Sequence, residues 1–99
     1  MAQPHLTDTE ERLAEQYVRV LDFVSRCAQA LDEGNWHYLW AKAGQLADAA
    51  QQLDTVATQA WTATQAGERP RRDAVRTAVA HYGRHYRAGR LLHPQGGGR

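Results

Sequence analysis

Residues 36–60 read WHYLWAKAGQLADAAQQLDTVATQA, and their apolar positions recur in alternating steps of three and four: Trp36, Leu39, Ala43, Leu46, Ala50, Leu53, Ala57 and Ala60. Spacing that averages 3.5 residues lays one stripe along an α-helix and turns it toward a partner helix. No nucleophile, carboxylate or metal ligand lies in the stripe. It therefore points to an architecture, a helix-packing seam, before it says anything about chemistry. Trp40, Ala47 and Trp61 flank the stripe on one side and Ala49, Val56 and Ala63 on the other. The remaining face carries Gln45, Gln51, Gln52, Thr55, Thr58, Gln59, Thr62 and Gln65, with Asp48 and Asp54 as the only charges from Ala43 to Ala66. A helix this short of charge reads as covered on more than one side, so it is expected to be the central helix.

The segment before it has the same period. Leu13, Tyr17, Val20, Val24, Cys27 and Leu31 form a second seam, while Asp8–Arg12, Glu15–Arg19 and Asp22–Arg26 place an acid four residues before a base on the opposite, solvated face. Thr7 with Glu10, or Asp8 with Glu11, makes a capping box at the start. Gly34 suits a helix C-terminus, and Asn35 is a good N-cap for the next helix. So short a connection predicts antiparallel neighbours. Gly67 and Pro70 then introduce a third helix carried by Val75, Val79, Tyr82 and Tyr86, with its regular part ending by Gly89. The expected fold is all-α: three helices, about 8–33, 36–66 and 70–88, built on a long antiparallel helical hairpin with a coiled-coil-like seam. Residues 1–6 form an N-terminal tail, 7–90 a single helical domain and 91–99 a flexible C-terminal tail.

Composition sharpens this reading. Ninety-nine residues allow one small core. With no Ile and a single Phe, much of that core must be Ala, which buries little area per residue. A thin core favours self-association, so a homodimer that completes a bundle is expected, together with an unidentified protein partner. The net charge of +1 hides an asymmetry. Residues 1–66 hold four basic and nine acidic side chains, whereas residues 67–99 hold eight Arg against Glu68 and Asp73. Cys27 is the only cysteine, which rules out an intrachain disulfide. No apolar run approaches the roughly 20 residues of a membrane span, and no signal-peptide pattern opens the chain. The expected location is the cytoplasm, with no membrane partner.

Two groups of residues are candidates for function. Arg72, Arg76, Arg84, Arg87 and Arg90 fall within roughly 120° of one another on the third helix, and Arg69 and Arg71 add charge at its start. Guanidinium groups pair with phosphates or with acidic protein surfaces, and the neighbouring tyrosines can stack on bases, so a nucleic-acid contact is the alternative to a protein-interaction role. Trp36, Trp40 and Trp61 suit either a core or a partner interface. For catalysis the sequence offers little. Ser25 has no Gly-rich elbow, Cys27 sits in a seam, and the acids of the first helix are committed to exposed Arg pairs. His81 and His85 share a helix face, but two histidines do not close a metal site. The expectation is a non-enzymatic interaction or oligomerisation module without catalytic residues, metal or cofactor.

Overall fold

The computed structural model describes residues 5–92, with side chains as far as Arg84. The residues fall into three helices, α1 (Asp8–Glu33), α2 (Trp36–Gln65) and α3 (Arg72–Leu92), and there is no strand among them. The protein is all-α. Thr7 caps α1 in a complete capping box: its hydroxyl accepts from the Glu10 amide at 3.1 Å, and its own amide donates to Glu10 Oε1 at 2.9 Å. Gly34 ends α1 at φ 67°, a left-handed conformation in which a Cβ costs energy. Asn35 then opens α2, its side chain accepting from the Tyr38 amide at 3.1 Å. Gly67, at φ 84°, follows the last turn of α2.

The third helix departs from expectation at both ends. It starts at Arg72 rather than at 70, because Pro70 and Arg71 lie in the connection and the Arg71 amide is engaged elsewhere. It continues through Gly89 to Leu92, a glycine in a helix interior costing only about 1 kcal/mol. The expected tail at 91–99 is thereby shortened at its start. Residues 1–4 and 93–99 lie outside the described residues, as do the side chains of His85, Tyr86, Arg87 and Arg90.

The packing order is also different. Among the described residues, α1 packs against both α2 and α3, and α3 does not pack against α2. The central helix is α1, the most charged of the three, not the charge-poor α2. Lack of charge on α2 reflects a different solution to solvation. Thr55, Thr58 and Thr64 return their hydroxyls to the backbone carbonyls of Gln51, Asp54 and Ala60 at 2.8–3.2 Å, and the Gln and Thr face stays exposed.

The two seams are rotated from their sequence positions. In α1 the buried apolar residues are Ala14, Val18 and Ala30, while Tyr17, Val24 and Leu31 are exposed. In α2 the buried residues are Ala49 and Val56, which the heptad reading placed on the flank, while Ala43, Ala50 and Ala57 are exposed and Leu39, Leu46 and Leu53 half-buried. Lys42 joins the contact with α1 by laying its ammonium 5.9 Å from the Phe23 ring and 5.3 Å from the Tyr38 ring. Arg26 reaches the Tyr38 hydroxyl at 3.3 Å, and Arg12 reaches Gln59 Oε1 at 3.3 Å.

The third helix is held near the start of α1. Arg71, in the connection just before α3, meets Glu10, and Tyr82, ten residues and roughly 15 Å along α3 from Arg72, meets Glu11, so the two contacts converge on adjacent residues of α1. A helix lying along α1 would carry Tyr82 away from Glu11, so α3 is tilted across α1.

Candidate functional site

The candidate interface residues begin with the tryptophans of α2. Trp36, Trp40 and Trp61 are 63%, 74% and 62% exposed. At 100° per residue they fall within about 60° of one another, on a side of α2 that neither α1 nor α3 covers. The exposed Ala43, Ala47, Ala50 and Ala57 continue the same side between the indoles. These residues belong to α2 because Asn35 starts the helix early enough to include Trp36 and nothing breaks it before Gln65. His37 lies against Trp40 with the ring centres 6.0 Å apart. Of the two fates open to the indoles, core or surface, all three take the surface. On α1 a second exposed apolar row, Tyr17, Leu21, Val24 and Leu31, runs toward the α1–α2 connection.

The arginine group is not one unit. Arg71 is withdrawn from it: its Nε and Nη2 donate to Glu10 Oε2 and Oε1 at 2.9 and 2.7 Å, its amide donates to Oε2 at 2.7 Å, and Nη2 also donates to the His5 carbonyl at 2.6 Å. Arg69, Arg72, Arg76 and Arg84 are exposed and make no ion pair with a described residue. Arg87 and Arg90 lie where side chains are not described.

Glu10 is the residue that sequence reasoning missed in part. Its role in the capping box was legible, its burial was not. The side chain is 2% exposed and is the one charged group among the buried residues described. Hydrogen bonds from the Arg71 side chain lower its pKa and outweigh burial, which would raise it; the Thr7 and Arg71 amides add to the lowering, leaving the carboxyl well below the usual range. Asp22 and Arg26 are a second correction. The pair forms at 2.9 Å as the spacing implies, but its side chains are only 11% and 19% exposed, so it lies in the packed layer and not on a solvated face. Burial works against the Arg26 charge, and hydrogen bonds to Asp22 and Tyr38 more than offset it, moving its pKa up. Asp8 and Arg12 approach to 3.6 Å in the open, whereas Arg19 bonds to Gln16.

An open cleft of about 540 Å³ lies at the start of α3, lined by Leu6, Arg71, Asp73 and Thr77 among others. Of its lining, Asp73 and Thr77 are a carboxylate and a hydroxyl on one side of α3, and no hydrogen bond joins them. Cys27 is a half-buried free thiol, and among the described residues no group of three or more His, Cys, Asp or Glu could hold a metal ion. No helix of the described residues is long and apolar enough to cross a membrane. Comparison with family models, with curated proteins and with solved structures finds no match to this chain.

Proposed function

We propose that this protein is a non-enzymatic helical interaction module, a single domain in which α1 and α2 are the arms of a long antiparallel hairpin, working in the cytoplasm through the apolar surface that α2 leaves uncovered. The observation that carries this reading is the exposure of Trp36, Trp40 and Trp61 on one side of a single helix. Large aromatic rings left in water are unfavourable; covering one that is about two-thirds exposed is worth on the order of 3 kcal/mol at most. Three such rings on one helix side match the anchors around which protein interfaces are organised. Asp54, at the angle of Trp36, is the one charge on that side, so docking there covers apolar surface with a single carboxylate to be left in water or paired.

A photo-crosslinking amino acid placed at Trp40, and separately at Gln52 on the polar side, tests the reading in the cells that make the protein. Adducts from position 40 and none from position 52 are expected. Equal adducts from both positions, or none from position 40, would overturn it.

A second reading has a specific observation behind it. Arg72, Arg76 and Arg84 remain exposed and unpaired among the described residues, so they are not used to neutralise the acidic α1. In this alternative the protein binds nucleic acid through α3. Binding to duplex DNA would then weaken with salt at a log–log slope of about −0.9 per phosphate contact, and R72A/R76A would make the slope shallower by about two. No binding at micromolar protein and low salt would remove this alternative.

A further inference from the structure

The rows Leu13–Leu31 of α1 and Trp36–Ala60 of α2, read from the sequence as the seam between these two helices, do not face each other, and their rotation has a definite sense. On α1 the direction of α2 is marked by Arg12, Phe23, Arg26 and Ala30, which bond to α2, touch its Lys42 or are buried. On α2 the direction of α1 is marked by Tyr38, Lys42, Ala49, Val56 and Gln59. At 100° per residue the α1 row is centred roughly 105° from its marker direction, and the α2 row roughly 100° from its own, both advancing in the sense of chain growth. The bonds Arg26–Tyr38 and Arg12–Gln59 pair a late residue of α1 with an early one of α2 and the reverse, as antiparallel helices do. On antiparallel helices, equal rotations in the same sense point to the same side of the layer.

The two rows therefore form one continuous apolar face. By the same projection, Glu10, Ala14 and Val18, beside which α3 packs, are centred roughly 100° from the α1 row and roughly 155° from the direction of α2, so the described part of α3 flanks this face and does not lie over it. Each helix of a square four-helix bundle packs in two directions about 90° apart, and the second direction here is unoccupied.

Resting on the interaction reading above, we infer that the occupant of this face is a second copy of the chain, its α1 and α2 laid on those of the first to close a two-fold four-helix bundle. Three observations select a copy over a different protein. The rows contain no charged residue, and the one charge beside them, Asp54 at the angle of Trp36, lies at the edge, so the middle of the face is its own complement. Along α2 they alternate the bulky Leu39, Leu46 and Leu53 with the exposed Ala43, Ala50 and Ala57, which lets leucines of one copy enter between alanines of the other. The core of the protomer is also thin: among the described residues the buried apolar side chains are four alanines and two valines, while the leucines stay half in water. The face is roughly 30 Å long and about 20 Å wide, or about 600 Å² in projection and more along its corrugated surface. A standard interface covers about 800 Å² per partner. Trp36 ends the α2 row of this face, and Trp61 borders it.

Sedimentation equilibrium from about 1 to 100 μM is the test. The expected result is a reversible rise from 11.1 kDa toward twice that mass, accompanied by a blue shift of tryptophan emission. Ala50→Glu, which adds charge to the middle of the face at a position exposed in the protomer, should hold the mass at 11.1 kDa with unchanged helical circular dichroism; its dissociation constant should rise at least a hundredfold. Gln52→Glu, on the polar side, should dimerise as the wild type does. If Ala50→Glu loses helicity, the concentration dependence of the wild type's mass and emission decides alone. A wild type that stays at 11.1 kDa at 100 μM, or an Ala50→Glu chain that still dimerises, overturns the inference. A monomer that nevertheless gives position-40 crosslinks to another protein would leave the interaction reading standing.

Discussion

Replacing Val56 by Ala tests where the packed side of α2 lies, because Val56 is 1% exposed while its neighbour Ala57 is open to solvent. The substitution removes two buried methyl groups. Their transfer from water is worth about 0.8 kcal/mol each, or about 1.6 kcal/mol together. The space they leave, roughly 50 Å³, adds about 1.2 kcal/mol if nothing moves, at about 24 cal/mol per Å³. Most neighbouring core residues are alanines beside half-exposed leucines, so part of that space can fill by small shifts, and the expected total is about 2 kcal/mol. For a chain of this size such a loss lowers the melting temperature by about 8–16 °C. Urea unfolding followed by circular dichroism measures it, at one protein concentration throughout, because self-association would itself raise apparent stability. A change below about 0.5 kcal/mol would mean that α2 turns a different side to α1 and that the rotation of the seams is misassigned.

Other consequences can be checked in the same way. Glu10 has a carboxyl pKa lowered in the folded chain, so its contribution is complete above the unfolded carboxylate value and is lost as pH falls through and below it. Urea midpoints measured from pH 7 to pH 3 should therefore drop in the wild type and drop less in Glu10→Gln; parallel curves would contradict the assignment. Gly34→Ala forces a Cβ into a left-handed conformation and should cost about 1–2 kcal/mol by thermal unfolding, with Gly44→Ala, in the middle of α2 with open space around its Cα, neutral or stabilising. Thr7→Ala removes the N-cap of α1 and should cost about 1 kcal/mol, and no loss would mean that Glu10 alone holds the cap.

The features written in local chemistry were legible in the sequence. The Thr7–Glu10 box, the Gly34–Asn35 break and the Gly67 stop each involve residues within a few positions, and each sets a helix end where expected. The phase of the packed stripes was less so. Where neighbouring positions such as Ala49 and Ala50, or Val56 and Ala57, are all small and apolar, periodicity is satisfied by either, and the contact of Lys42 with two rings shifts the choice. The regularity that fixed the wrong phase was real, but it marks the face beside the α1–α2 contact. The partner of Glu10 was beyond reach of any spacing rule, because Arg71 is 61 positions away. Of the candidate interface residues, chemistry alone could not choose between core and surface for the tryptophans; burial did.

The double use of Glu10 bears on the order in which the molecule assembles. One carboxylate closes the first turn of α1 and grips Arg71, so the socket for α3 is built from contacts three residues apart, while its occupant arrives only after a loop of some sixty residues has closed. Short-range contacts form early because little chain entropy opposes them, and the long closure comes late. The beginning of α1 is thus a template that exists before α3 needs it. Truncating Arg71 should accelerate unfolding and leave the refolding rate nearly unchanged, a φ-value near zero, whereas Thr7→Ala should slow refolding; a high φ-value at Arg71 would reverse that order.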